Sequence, residues 1–152
     1  MSTPRVEVTQ TIDAPPAVVY NILADYQTEH PSILPKPYFE SLEIEQGGKG
    51  AGSVLRVTMN VWGNKQVLRL HVSEPEPGRV LYEEDPDNGV ATTFTVTPVD
   101  GGARSAVTIA TEWKPKPGLR GLIEGWISPL VTRPIYQKEL DLLNARAKQV
   151  QQ

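Results

Sequence analysis

The chain has 152 residues, no cysteine, and 15 basic against 18 acidic side chains, giving a formal charge of −3 and a pI near 5.4. This length fits one domain (1–152) with a core that needs no disulfide staples, and the lack of thiols excludes a thiolate metal site. The acidic balance argues against nucleic acid, whose binding is dominated by phosphate neutralisation.

The opening MSTPRVEV lacks an apolar h-region, and no run approaches the roughly 18 apolar residues of a membrane span. The expectation is a soluble, cytoplasmic protein without an integral membrane segment. Arg5 to Ile12 alternates, with Val6, Val8 and Ile12 on one face, as a half-buried strand does. Ala14-Pro15-Pro16 then opens a helix, proline being tolerated in a first turn where its missing N–H costs nothing. A second short helical turn is expected around Thr28–Leu34, closed by Pro35 and Pro37.

Six strands follow: Phe39–Gln46, Ser53–Trp62, Lys65–Glu74, Arg79–Asp85, Val90–Val99 and Ala103–Trp113. Leu42 and Ile44, then Leu55, Val57, Met59 and Val61, then Leu68, Leu70 and Val72 are read as inward. Gly63-Asn64, Pro75 to Gly78, Asp87-Asn88-Gly89 and Asp100-Gly101-Gly102 supply the turns. Consecutive hairpins favour an antiparallel meander; with helices on one side, the class is α+β.

From Gly118 onward the pattern is helical. Leu119, Leu122, Ile123, Trp126, Ile127 and Leu130 form one stripe, and Tyr136, Leu140, Leu143, Ala147 and Val150 a second. A straight helix over 118–150 would be about 50 Å long, against about 40 Å for a compact domain of this size. Pro129 and Pro134 are therefore expected to bend or break it between Gly125 and Tyr136. A bent amphipathic helix in a concave sheet leaves room for a cavity, expected in the range ~300–1,000 Å³. Gly118, Gly121 and Gly125 fit either close backbone approach or vacant space.

The order of elements, with Val8-Thr9-Gln10-Thr11-Ile12-Asp13-Ala14-Pro15, Val19-Tyr20 and Leu23-Ala24-Asp25-Tyr26, resembles the START / pollen-allergen-like helix-grip superfamily. Within it the chain is similar to the bacterial SRPBCC, or polyketide cyclase/dehydrase-like, branch. The resemblance includes the glycine-rich hairpin Gly47 to Ser53 and the closing Pro134 to Leu140. It implies a seven-stranded sheet gripping a long kinked C-terminal helix, with two short helices after the first strand and a cavity for an apolar ligand. Members of the superfamily include lipid carriers, hormone binders, aromatic-polyketide cyclases and co-chaperone domains, and a shared fold does not choose among them.

Expected ligand contacts are Leu55, Val57, Leu70, Phe94, Trp113, Leu122, Trp126 and Leu130, with His30, Tyr82 and Glu124 as a polar pocket or rim. Asp25 and Glu84 could also reach the rim, and Arg133 flanks the kinked part of the helix, although for each charged residue a solvated face is the default. His71 sits on a polar strand face and is read as solvated, whereas the resemblance places a cavity mouth near His30. The glycine run lacks the Lys-Ser/Thr pair of a phosphate loop and joins strand to strand, so it reads as a turn. No nucleophile–base set, cofactor motif or metal site is legible. The leading expectation is a carrier of a small hydrophobic molecule such as a lipid, isoprenoid or polyketide. The alternative is a cyclase or dehydratase in the same cavity, and a protein-interaction module ranks third. Ionisable groups meeting inside the pocket would favour chemistry; an unbroken apolar lining would favour carriage.

Overall fold

The computed structural model describes residues 5–113 and 129–151. Seven strands form one antiparallel sheet: β1 (Arg5–Ile12), β2 (Phe39–Gln46), β3 (Val54–Val61), β4 (Asn64–Glu76), β5 (Val80–Asp85), β6 (Val90–Val99) and β7 (Arg104–Trp113). Their spatial order is β1-β7-β6-β5-β4-β3-β2, so β2 to β7 are a meander and β1 pairs with β7 along its whole length. Helix α1 (Pro16–Ala24) and a 3-10 turn (His30–Ile33) lie between β1 and β2, and helix α2 (Pro129–Val150) closes the chain. This is the helix-grip architecture that the sequence implies.

The alternation holds on the central strands. Leu55, Val57, Met59 and Val61 are buried on β3, and Leu68, Leu70 and Val72 on β4, while His71 points to solvent. It fails on β2, an edge strand with register shifts at both ends, where Ile44 is exposed. A bulge rotates the side chains that follow it, and an edge strand has one neighbour instead of two. The β3–β4 turn also differs from expectation. Val61 pairs with Asn64, which makes Trp62-Gly63 the loop, both with positive φ, and moves Asn64 into the strand.

Helix α2 is continuous across Pro134, so of the expected bend or break the chain shows no break there; positions 125–128 lie outside the described residues. Its buried face is Thr132, Ile135, Tyr136, Glu139, Leu140, Leu143 and Ala147, packed on β1, α1 and the 3-10 turn. Fully burying a side chain such as Leu140 or Leu143 stabilises by roughly 1.5–3 kcal/mol. Val150 is exposed at the helix end.

Candidate functional site

Asp25 sets up the first wall of the site. Its carboxylate accepts the Gln27 and Thr28 amides at 3.1 Å each, and its carbonyl accepts the His30 amide at 2.8 Å. The tight turn so formed folds His30 back over Tyr26, with ring centroids 4.8 Å apart and planes 22° from parallel. The glycine-rich hairpin anchors the same turn, since the Tyr26 amide donates to the Gly48 carbonyl (2.9 Å) and the Gly50 amide to the Ala24 carbonyl (2.9 Å). Gly48 has φ +133°, and a Cβ there would lie 2.6 Å from the Gln27 side chain, so the glycine permits a close approach. Asp25, weighed as a reactive group, is thus held in a structural role.

Between sheet and helix lies a cavity. Leu55, Val57, Met59, Leu68, Leu70, Val90 and Phe94 line it from the sheet, and Leu34, Phe39 and Leu42 from the segment around β2. Its polar wall consists of His30, Glu83, Thr92, Tyr136 and Glu139. The space open to the centre of a water molecule is ≈ 50 Å³, inside an envelope of ≈ 590 Å³ that includes solvent at the opening. The enclosed space is well below the ~300–1,000 Å³ expected from sequence; side chains including Met59, Phe94 and Tyr136 line it closely. A few water-sized groups fit without movement, and a long lipid or polyketide would require the walls to part.

Of the expected contacts, Leu55, Val57, Leu70 and Phe94 line this cavity, as does His30. Trp113 is buried at the end of β7 but is not part of its lining, and its indole N–H has no hydrogen-bond partner among the described residues. Leu130 is 89% exposed, a correction with a simple cause: it sits six residues before Tyr136, about 120° away around the helix. Tyr82 is also corrected. It points to the outer face of β5, donates to Glu84 at 2.9 Å and lines a surface groove with Glu84 and Glu112. Arg133 is exposed and donates to the Glu7 carbonyl. Leu122, Glu124 and Trp126 lie outside the described residues.

Two acids absent from the sequence-based candidates stand out in the polar wall. Glu83 is 7% exposed on β5 and Glu139 is 2% exposed on α2. Burial pushes the Glu83 carboxyl up to about 7, against the opposing pull of the Tyr26 hydroxyl, which donates to its Oε2 at 2.6 Å. Burial, followed by the nearby Glu83 charge, raises Glu139 well above the ordinary carboxylate range. Neither carboxyl has a basic partner among the described residues, and two such groups close together do not both ionise readily at neutral pH.

The remaining polar groups are fixed. His30 donates its Nδ1–H to the Leu23 carbonyl at 2.6 Å, leaving Nε2 as an acceptor, and burial lowers its pKa to about 4, so the ring is neutral at pH 7. Its ring stands perpendicular to that of Phe94, with centroids 5.7 Å apart. The Tyr136 hydroxyl is held 2.6 Å from Thr111, which is 2.7 Å from Thr92, and burial raises the phenol to about 12. No group of three or more potential metal ligands occurs among the described residues, and none of the described helices is long and apolar enough to cross a membrane.

A sequence profile described as polyketide cyclase / dehydrase and lipid transport matches residues 3–148. The chain belongs to this family. No curated protein matches it. The structure is similar to that of the KanY protein (27% identity, TM-score 0.82, covering 97% of this chain and 99% of that one). It also resembles the Zhui aromatase/cyclase from Streptomyces sp. R1128 (20%, 0.73, 99% and 97%) and a START superfamily protein from Mycobacterium smegmatis (15%, 0.70, 98% and 99%). The last two likenesses establish the fold alone. Within the polyketide cyclase / dehydrase family this chain has a ligand-binding helix-grip fold, and its own residues bear on what the cavity does.

Proposed function

We propose that this family member is an acid–base catalyst of the cyclase or dehydratase kind, acting on a small, mostly apolar molecule held between sheet and α2. The carrying observation is the pair Glu83 and Glu139, both buried in one cavity with no basic partner among the described residues. A carrier needs only the apolar part of the lining, whereas each buried, poorly paired polar group costs stability. Acid–base work gives the pair a use. One carboxyl near pH 7 can take a proton while its neighbour, held protonated, can give one, and at the end of a turnover the proton passes back. Tyr26 holds Glu83 in place, and the apolar walls keep water from competing.

The test is deuterium exchange at the carbons flanking the carbonyl of a small enolisable ketone such as cyclohexanone, followed by NMR in D2O. Wild-type protein is expected to accelerate exchange, and Glu83→Gln to lose most of the acceleration. Exchange at the background rate with the ketone bound would return the cavity to carriage.

A further inference from the structure

We infer that the molecule taken by this cavity carries a protonated amine, received between the carboxyls of Glu83 and Glu139. This rests on reading the cavity as the substrate site and adds the class of substrate. The wall is unbalanced in hydrogen bonding. Glu83 receives one hydrogen bond, from Tyr26, and Glu139 receives none from the described residues. His30 has turned its proton to the Leu23 carbonyl and leaves a lone pair. A matching ligand must therefore be rich in donors, and an ammonium group has three.

The wall is also unbalanced in charge. Among the described residues, the titratable groups facing the pair are Tyr26 from the turn after α1, His30 from the 3-10 turn and Tyr136 from α2, and none of these is a cation at neutral pH. No arginine or lysine lines the cavity among the described residues, and Arg146 pairs with Glu29 and Arg69 with Glu45. A carboxylate or phosphate at this end would be repelled. A neutral carbonyl would use one protonated carboxyl and leave the other acceptors unmatched. An ammonium matches both carboxyls, can lie against the Phe94 ring, and leaves a short apolar body among Leu55, Val57 and Leu70. It also presents the proton that the pair would accept.

The experiment is isothermal titration calorimetry of the full chain near neutral pH with benzylamine and its neutral counterpart, benzyl alcohol. The amine is expected to bind on the order of tenfold more tightly, as a charge-assisted contact should. Its binding should release a proton, read from the dependence of the heat on buffer ionisation enthalpy, and should tighten as pH rises until the amine itself deprotonates. Glu83→Gln and Glu139→Gln should each abolish the preference; should either variant fail to fold, the wild-type proton release and pH trend still decide. Equal or tighter binding of the alcohol, or amine binding without proton release, overturns the amine while leaving acid–base catalysis to the ketone exchange. Binding of neither compound overturns both readings.

Discussion

Glu83 on β5 and Glu139 on α2 line one cavity, and burial holds both carboxyls above their ordinary range. Their charge works against the fold. Replacing either by a neutral isostere should stabilise the protein, as buried charges elsewhere lead one to expect.

The first prediction follows from proton linkage. Glu83 has its folded pKa raised from 4.5 to about 7, so its contribution is fully present below 4.5 and lost as pH rises through 7, roughly 3 kcal/mol in all. His30 has its folded pKa lowered from 6.5 to about 4, so its contribution is present above 6.5 and lost as pH falls toward 4. Between about 4.5 and 6.5 these two slopes cancel, leaving that of Glu139, which is raised like Glu83. Wild-type stability should therefore fall steadily from about pH 5 upward. Glu139→Gln should be flat to about pH 6.5 and decline only near 7. Thermal melts across this range check it, and a wild-type optimum at pH 8 would refute the assignment.

The second concerns Tyr26, whose hydroxyl pulls the Glu83 pKa down. Tyr26→Phe should push that carboxyl further up and cost about 1–3 kcal/mol, as for other hydrogen bonds to ionisable groups. Carbon NMR titration of the Glu83 carboxyl reads the shift directly. A downward movement would mean that Tyr26 does not hold the ionised form.

What the sequence shows and hides has a physical pattern here. Apolar alternation on β3 and β4 placed Leu55, Val57 and Leu70 on the cavity side, because period two survives wherever a strand has two neighbours. Glu83 is hidden in the sequence because β5 carries charge on both faces, and Tyr82 is the β5 residue expected at the pocket or rim. Its pairing with β6 held the signal: Leu81 opposes Phe94 and Glu83 opposes Thr92, so an inward Phe94 turns Glu83 inward too. Glu139 lies three residues after Tyr136 and four before Leu143, inside a stripe read only for its apolar members. His30 is fixed by the Asx turn at Asp25, a local signal that was present but reaches its meaning only through the fold.

A third prediction separates fold from site. Gly50 has φ +58°, and a Cβ there would collide with the Glu74 carboxylate. That carboxylate accepts the Tyr20 hydroxyl at 2.7 Å and the Ala51 amide at 2.8 Å, joining the glycine hairpin to α1 and β4. Gly50→Ala should destabilise by about 1–3 kcal/mol through backbone strain and a displaced Glu74. The amine-to-alcohol preference should persist, because neither Glu83 nor Glu139 touches this network. Calorimetry on the folded variant checks both halves, and loss of the preference would place the hairpin in the binding machinery.

The last prediction asks whether the cavity is the site. Val57 is 3% exposed on β3 and lines the space with Leu55 and Leu70. A phenyl ring at this position enters a volume that admits water centres over only ≈ 50 Å³, so the variant fills most of what is free. Overpacking should cost about 1–3 kcal/mol, and the protein should still fold because its wall stays apolar. Val57→Phe should therefore lose binding of benzylamine and benzyl alcohol alike, while its thermal midpoint falls only moderately. Leu143→Met is the control: Leu143 is fully buried on α2, outside the cavity lining, and a volume-conserving exchange there should leave binding intact. If a folded Val57→Phe protein binds both compounds as the wild type does, the ligand sits elsewhere, and Glu83 and Glu139 are buried acids without a substrate.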